Sequence, residues 1–179
     1  MKVLGLVGSP RRGGNTNLLV DAVLAGAAQN GFCVEKVFLY SVEVGPCVDC
    51  RACKKGGLVC VLKDGMVALY PKFEEADVIV FGTPLYWYGP SAKMKLVLDR
   101  LRPYIASKRL GGKRAVLVVP SEEGADACSH VVGMFNLSFG YLEMQLTGVL
   151  LPKASEKGEV ARQPHVLEEA ELLGRHLGR

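Results

Sequence analysis

The chain has 179 residues, 49% of them apolar and 22% charged, a balance that suits one folded domain over 1–179 and excludes a disordered chain or a small disulfide-stapled scaffold. The net charge is +4, with Lys and Arg scattered and no aromatic-interleaved basic run, which argues against nucleic-acid binding and suits phosphorylated cofactors or an acidic redox partner. No stretch approaches membrane-spanning length, and Met1-Lys2 leads into a strand-like run rather than a signal peptide, so the expected location is the cytoplasm, away from membranes.

Lys2 to Val7 is a short apolar run ended by Gly8-Ser9-Pro10, a buried strand and then a turn. Asn15 to Gln29 carries Leu18, Leu19, Ala22, Val23 and Ala27 at helical spacing, and Asn30-Gly31 stops it. Cys33 to Tyr40 is the second strand. A long loop, Val44 to Lys63, follows, and a loop of that length in a compact domain needs a reason to exist. Asp64 to Glu75 is a short helix and Asp77 to Gly82 the third strand. Ser91 to Ile105 reads as one helix with Ser91 as its N-cap. Ala115 to Val119 is the fourth strand, Ala127 to Tyr141 a helix and Gln145 to Leu151 the fifth strand. After a polar connector, Ser155 to Gln163, an amphipathic helix runs from Pro164 to Leu177. This alternation predicts an α/β doubly wound parallel sheet with helices on both faces. Five strands suit the flavodoxin-like order 2-1-3-4-5, in which a ligand sits at the carboxyl ends of strands one and three.

The loop after strand one, Gly8-Ser9-Pro10-Arg11-Arg12-Gly13-Gly14-Asn15-Thr16-Asn17, has the parts of a phosphate cradle. Small residues let the backbone approach an anion. Ser9, Asn15, Thr16 and Asn17 offer side-chain donors, Arg11 or Arg12 offers charge, and the following helix points free N–H groups at the same spot. The loop lacks the signatures of triphosphate and dinucleotide sites, so a terminal monophosphate fits best. The loop after strand three reads Gly82-Thr83-Pro84-Leu85-Tyr86-Trp87-Tyr88-Gly89-Pro90-Ser91. Its three adjacent aromatics suit a flat ring, with Thr83 and the backbone from Leu85 to Tyr88 available to hydrogen-bond it. Packing of these aromatics on a partner subunit is the competing reading. A monophosphate plus a flat tricyclic ring is FMN.

Four of the six cysteines, Cys47, Cys50, Cys53 and Cys60, fall in one short stretch. Three cysteines at i, i+3 and i+6 can wrap a compact inorganic core, and a fourth beyond a Gly56-Gly57 turn can close it, close to the spacing that holds iron–sulfur clusters. Zinc sites more often use two separated pairs, so zinc is a weaker alternative, as are thiols that hold no metal. No second set of ligands exists, so any cluster is single.

Together these segments resemble a known family. Gly8-Ser9-Pro10-Arg11-x-Gly13-Gly14-Asn15-Thr16 looks like the phosphate loop of the NADPH-dependent FMN reductases. Thr83-Pro84-x-Tyr86-Trp87, followed by Ala92-x-x-Lys95 and Asp99-Arg100, resembles their isoalloxazine loop and next helix. The cysteine run resembles that of the iron–sulfur flavoprotein branch. The resemblance covers about the first hundred residues. It implies FMN bound by Ser9, Arg11, Asn15, Thr16 and Asn17 at the phosphate, by Thr83, Pro84, Leu85, Tyr86 and Trp87 at the ring, and by a third loop that includes Ser121 and Gly124. Glu122 and Glu123 in that loop are expected to face water or a partner. It also implies a 4Fe-4S cluster on Cys47, Cys50, Cys53 and Cys60, electron transfer between cluster and flavin, a homodimer or homotetramer, and NAD(P)H or a small carrier such as ferredoxin as donor. Chemistry at the flavin requires no catalytic acid or base from the protein, and His130, His165 and His176 receive no role. Lys95 and Asp99 are read as a surface ion pair. Two other functions compete: an NAD(P)H-dependent FMN or quinone reductase without a cluster, and a non-enzymatic flavodoxin-like electron carrier.

Overall fold

The computed structural model describes residues 1–55 and 60–178. Its centre is a five-stranded sheet built from β1 (Lys2–Val7), β2 (Cys33–Phe38), β3 (Val78–Gly82), β6 (Arg114–Val118) and β7 (Gln145–Leu150), in the order β2-β1-β3-β6-β7. All four pairings are parallel. This is the expected 2-1-3-4-5 arrangement. The two remaining strands, β4 (Leu85–Tyr86) and β5 (Gly89–Pro90), form a separate antiparallel hairpin.

The strands alternate side chains between two faces, and each face buries its own apolar layer. Leu4, Leu6, Ile79, Phe81 and Leu117 pack under α2 (Met66–Glu75), α3 (Ala92–Asp99) and α5 (Ser129–Tyr141), where Phe81, Phe135 and Phe139 stack with ring centroids 4.8–5.9 Å apart. Val3, Val7, Val78, Val80, Val116 and Val118 pack under α1 (Asn15–Gln29) and α6 (Pro164–Arg175). Those two helices meet backbone to backbone. A Cβ on Gly26 would lie 2.0 Å from the Glu171 carbonyl oxygen, and one on Gly174 would lie 2.0 Å from that of Val23. Only glycine permits that approach.

Three local expectations change. The helix expected from Ser91 to Ile105 is two helices, α3 and α4 (Pro103–Ser107). Pro103 has no N–H to donate and its ring would collide with the Asp99 carbonyl, so the chain breaks and restarts with proline in the first turn. The aromatic loop is not irregular. It folds into the β4-β5 hairpin, with Trp87 (φ 50°) and Tyr88 (φ 59°) both left-handed, as a two-residue primed turn requires. The helix expected from Ala127 starts as a 3₁₀ turn over Gly124–Cys128, and α5 begins at Ser129. In the cysteine loop Ala52–Lys55 forms a 3₁₀ turn, while the expected Gly56-Gly57 turn lies outside the described residues. Among the described residues no helix is long and apolar enough to cross a membrane.

Candidate functional site

The carboxyl ends of β1 and β3 are tied together by backbone and by one buried serine. The Gly8 N–H donates to the Gly82 carbonyl at 2.7 Å. The Ser91 hydroxyl donates to the Gly8 carbonyl and, as N-cap of α3, accepts from the Met94 N–H at 3.3 Å. The Ser91 N–H in turn donates to Thr83 Oγ1 at 2.9 Å, and the Thr83 hydroxyl donates to the Pro84 carbonyl at 3.0 Å. Thr83 is 0% exposed. It braces the loop from below and does not line the opening.

That opening is a cleft of about 230 Å³. Ser9, Arg11, Gly14, Asn15 and Thr16 form one wall. Pro84, Leu85 and Tyr86 form the second, and Pro120, Ser121 and Glu122 the third. The fourth comes from Ala154 and from Ser155 and Lys157, the last two in the connector that sequence reasoning treated as a plain link. The general position of loops beyond the carboxyl edge of a parallel sheet could have flagged it.

The α1 side of the cleft is electropositive by construction. Gly14 caps α1 with no side-chain acceptor, and the first turn holds no acid, so the first N–H groups keep their full attraction for an anion. The Arg11 side chain is exposed and its guanidinium has no hydrogen-bond or ion-pair partner among the described residues. The Ser9 hydroxyl accepts from the Arg11 N–H at 3.2 Å. Asn15 bridges to the connector: its amide nitrogen donates to the Glu156 carbonyl at 2.8 Å, and its amide oxygen accepts from the Val160 N–H at 3.3 Å. Asn17 is turned away from the opening. It accepts from the Gly13 N–H at 3.3 Å and donates to Asp21 at 2.7 Å, holding the loop's shape. Arg12 also leaves the cleft, donating to Ser41 at 2.6 Å and lying 4.3 Å over the Phe38 ring.

On the hairpin side, Tyr86 lines the cleft while Trp87, at the hairpin tip, is 98% exposed and stands clear of it. The Ser121 hydroxyl donates to the Gly124 carbonyl at 2.9 Å, so Gly124 shapes this loop from behind rather than lining the opening. Lys95 and Asp99 form the expected surface pair at 2.6 Å.

The cysteines form a second locus. Cys47, Cys50, Cys53 and Cys60 all line one cavity, together with Leu62, Arg100, Arg102 and Pro103. All four are free thiols. The flanking residues Asp49 (φ 46°) and Arg51 (φ 59°) are left-handed, and such reversals turn backbone N–H groups toward a common concavity, as in many iron–sulfur sites. Burial pushes the Cys53 thiol above its ordinary range, with the Arg102 guanidinium acting the other way. Among the described residues no group of three or more His, Cys, Asp or Glu is gathered tightly enough for a single metal ion.

One element of this locus was missed by sequence reasoning. Arg100, the C-cap of α3, is 1% exposed. Its Nη1 donates to Asp64 at 2.6 Å and to the Gly45 carbonyl at 3.0 Å, and its Nη2 donates to Asp64 at 3.1 Å and to Cys60 Sγ at 3.4 Å. Its Nε is buried with no partner. Asp64 also accepts from the N–H groups of Gly45 (2.9 Å) and Met66 (3.1 Å). Burial pushes the Asp64 carboxyl up, but the Arg100 guanidinium and these two amides outweigh it and hold the group below the ordinary carboxylate range. Next to it, Gly65 lets the chain pass against Glu43: a Cβ there would lie 2.6 Å from the Glu43 carbonyl oxygen.

Residues 1–156 match the model of the NADPH-dependent FMN reductase family. The chain is 40% identical over 120 residues to an iron-sulfur flavoprotein of Methanocaldococcus jannaschii, a match that covers 65% of this chain and only 62% of that protein. It is 32% identical over 171 residues to an iron-sulfur flavoprotein of Archaeoglobus fulgidus, covering 88% of this chain and 77% of the relative. Among solved structures, the NAD(P)H:quinone oxidoreductase from Methanothermobacter marburgensis superposes with a TM-score of 0.77 at 19% identity, over 99% of this chain and 98% of that one. That likeness shows the shared flavodoxin-like fold.

Proposed function

Because this chain belongs to the NADPH-dependent FMN reductase family, whose members are flavin-dependent oxidoreductases, we propose that it is an oxidoreductase of the iron–sulfur flavoprotein type. In this reading FMN occupies the cleft at the sheet's carboxyl edge, and a 4Fe-4S cluster occupies the cysteine cavity. The observation that carries the proposal is the coexistence, in one chain, of a bare helix N-terminus with a free arginine and a cavity lined by four free thiols. The chemistry of both donor sets fits. Backbone N–H groups and Arg11 match a dianionic monophosphate, and soft thiolates match iron–sulfur.

When bound, the flavin supplies hydride and single-electron chemistry at its ring and the cluster supplies single-electron chemistry. The protein's part is to bind, orient and tune. Arg11, Ser9, Thr16 and the first N–H groups of α1 hold the phosphate. Asn15 fixes the connector that carries Lys157 over the same end, and Asn17 keeps the loop in shape. Pro84, Leu85 and Tyr86 pack beside the ring, Thr83 supports them, and Ser121 with Gly124 sets the third wall. Cys47, Cys50, Cys53 and Cys60 are the cluster ligands. The exposed apolar surfaces of Trp87, Leu137 and Tyr141 support assembly as a homodimer or homotetramer, with NAD(P)H or a ferredoxin-like carrier as donor, in the cytoplasm, the chain forming one domain.

The test is anaerobic purification followed by iron, sulfide and flavin assays. One FMN and about four irons per chain support the proposal. One FMN with no iron after anaerobic reconstitution leaves a plain NAD(P)H-dependent flavin or quinone reductase. No flavin uptake by the apoprotein removes both readings.

A further inference from the structure

We propose that Arg100 is a positioning and tuning residue for the cysteine cavity: it clasps the neck of the cysteine loop, fixes Cys60 against the other three thiols, and turns the positive end of its ion pair with Asp64 toward them, which raises the reduction potential of the cluster. This inference rests on the reading of the cavity as a cluster site.

A charged side chain that is 1% exposed is uncommon and is tolerated only when its donors are met. Arg100 meets them in a specific pattern. One end of its fork reaches the Gly45 carbonyl, two residues before Cys47, and both ends grip Asp64, four residues after Cys60. Asp64 also accepts from the Gly45 N–H at 2.9 Å. Gly45, at the start of the cysteine loop, and Asp64, just past its end, are thus bound to the same guanidinium and to each other. The remaining Nη2 donor points to Cys60 Sγ at 3.4 Å. Cys60 is the ligand separated from the Cys47-Cys53 run, so it is the one whose position the local turn does not set.

Four of the five N–H groups of a guanidinium are accounted for in this way, and the fifth, on Nε, is buried without a partner. Arg100 lines the cysteine cavity. A sulfur-rich anion held in that cavity would bring acceptors to a residue that has one donor unmet. The other two cavity arginines do not share this role. Arg102 is one-third exposed and pairs with Asp49 at 2.9 Å, and Arg51 is more exposed still and pairs with the same carboxylate at 3.3 Å, so water screens both.

Reducing a cluster adds negative charge. A nearby buried cation and N–H donors to the sulfurs stabilise that charge more in the reduced state than in the oxidised one, which moves the potential upward. Arginine's planar fork is also suited to hold three acceptors at once, and a lysine ammonium in its place could not reach all of them. The competing view is that Arg100 and Asp64 are only a structural ion pair closing a loop. The two views differ in what happens to the potential.

The experiment uses the full chain, purified and reconstituted anaerobically, as wild type, Arg100→Gln and Arg100→Lys. Midpoint potentials are measured by redox titration of the cluster's paramagnetic signal, and iron release is timed against a chelator. Arg100→Gln is expected to lower the potential and release iron about tenfold faster or more. Arg100→Lys keeps the charge, so its potential should stay nearer wild type while iron release still accelerates. A wild-type potential in Arg100→Gln overturns the tuning role. If Arg100→Gln does not accumulate as folded protein, Arg100→Lys decides, and a wild-type rate of iron release there overturns the clasp. A wild-type chain that binds FMN yet takes up no iron overturns the cluster reading itself, and this inference with it.

Discussion

Replacing Ser91 by Ala should loosen the flavin cleft and the fold together. Ser91 is fully buried, and its single hydroxyl serves two partners from different elements, donating to the Gly8 carbonyl and accepting from the Met94 N–H. Loss of an N-cap acceptor costs about 1 kcal/mol. A buried carbonyl left without its donor costs about 1–3 kcal/mol. The same hydroxyl makes both bonds, so their sum of about 2–4 kcal/mol is the upper range of the expected destabilisation. Gly8 opens the phosphate loop and Thr83 opens the ring loop, so freeing one from the other should also weaken FMN. Urea denaturation of the apoprotein gives the first quantity, and flavin fluorescence titration gives the second. Ser91→Thr, which keeps a capping hydroxyl, should recover most of the lost stability. Destabilisation below about 0.5 kcal/mol, the scale of an indifferent surface substitution, with unchanged flavin affinity would refute the reasoning.

Three further outcomes follow from the geometry. Asn15→Leu removes the amide that bridges Glu156 and Val160; FMN affinity should drop by about tenfold or more while iron content stays at wild type, as read by fluorescence and iron assay. Gly26→Ala forces a methyl group to 2.0 Å from the Glu171 carbonyl, which backbone on backbone cannot absorb. A loss of about 3 kcal/mol or more is expected in denaturant. The third concerns pH. The Lys72 ammonium holds the Glu35 carboxyl below its ordinary range, with burial opposing and Lys2 adding to the effect. A depressed folded-state pKa means stability that is present above the unfolded value of about 4.3 and is lost as pH falls through the folded value. Glu35 is partly exposed, so the contribution is at most about 1 kcal/mol. Glu35→Gln should therefore flatten the acid side of the stability profile by that small amount and leave neutral stability reduced by the same.

The sheet was legible because each strand is an apolar run bounded by turn residues, and its order followed from the alternation with helices. Pro103 was visible too, and taken at face value it would have split the helix after Ser91 correctly. The hairpin was hidden for a physical reason. Trp87 and Tyr88 are residues that avoid left-handed backbone, so nothing in their identity announces the turn that they occupy. The polar content of the loops after β1 and β3 could be read, but not the direction in which each side chain points. Thr83 spends its hydroxyl on nearby backbone, and Asn17 its amide on the Gly13 N–H and the Asp21 carboxylate. Arg100 was the hardest to see. A lone arginine at a helix end looks like surface until the fold brings Asp64, Gly45 and Cys60 to it from a segment 36 to 55 positions away.

Gly45 and Asp64 are 19 positions apart in sequence yet joined at 2.9 Å. The stretch between them therefore departs from the scaffold and comes home at a single doorway, and its described residues contribute no strand to the sheet. Closing a tether of that length costs little more entropy than closing a shorter one. A fold of this kind could thus gain or shed that loop in one piece, with its strand order left untouched.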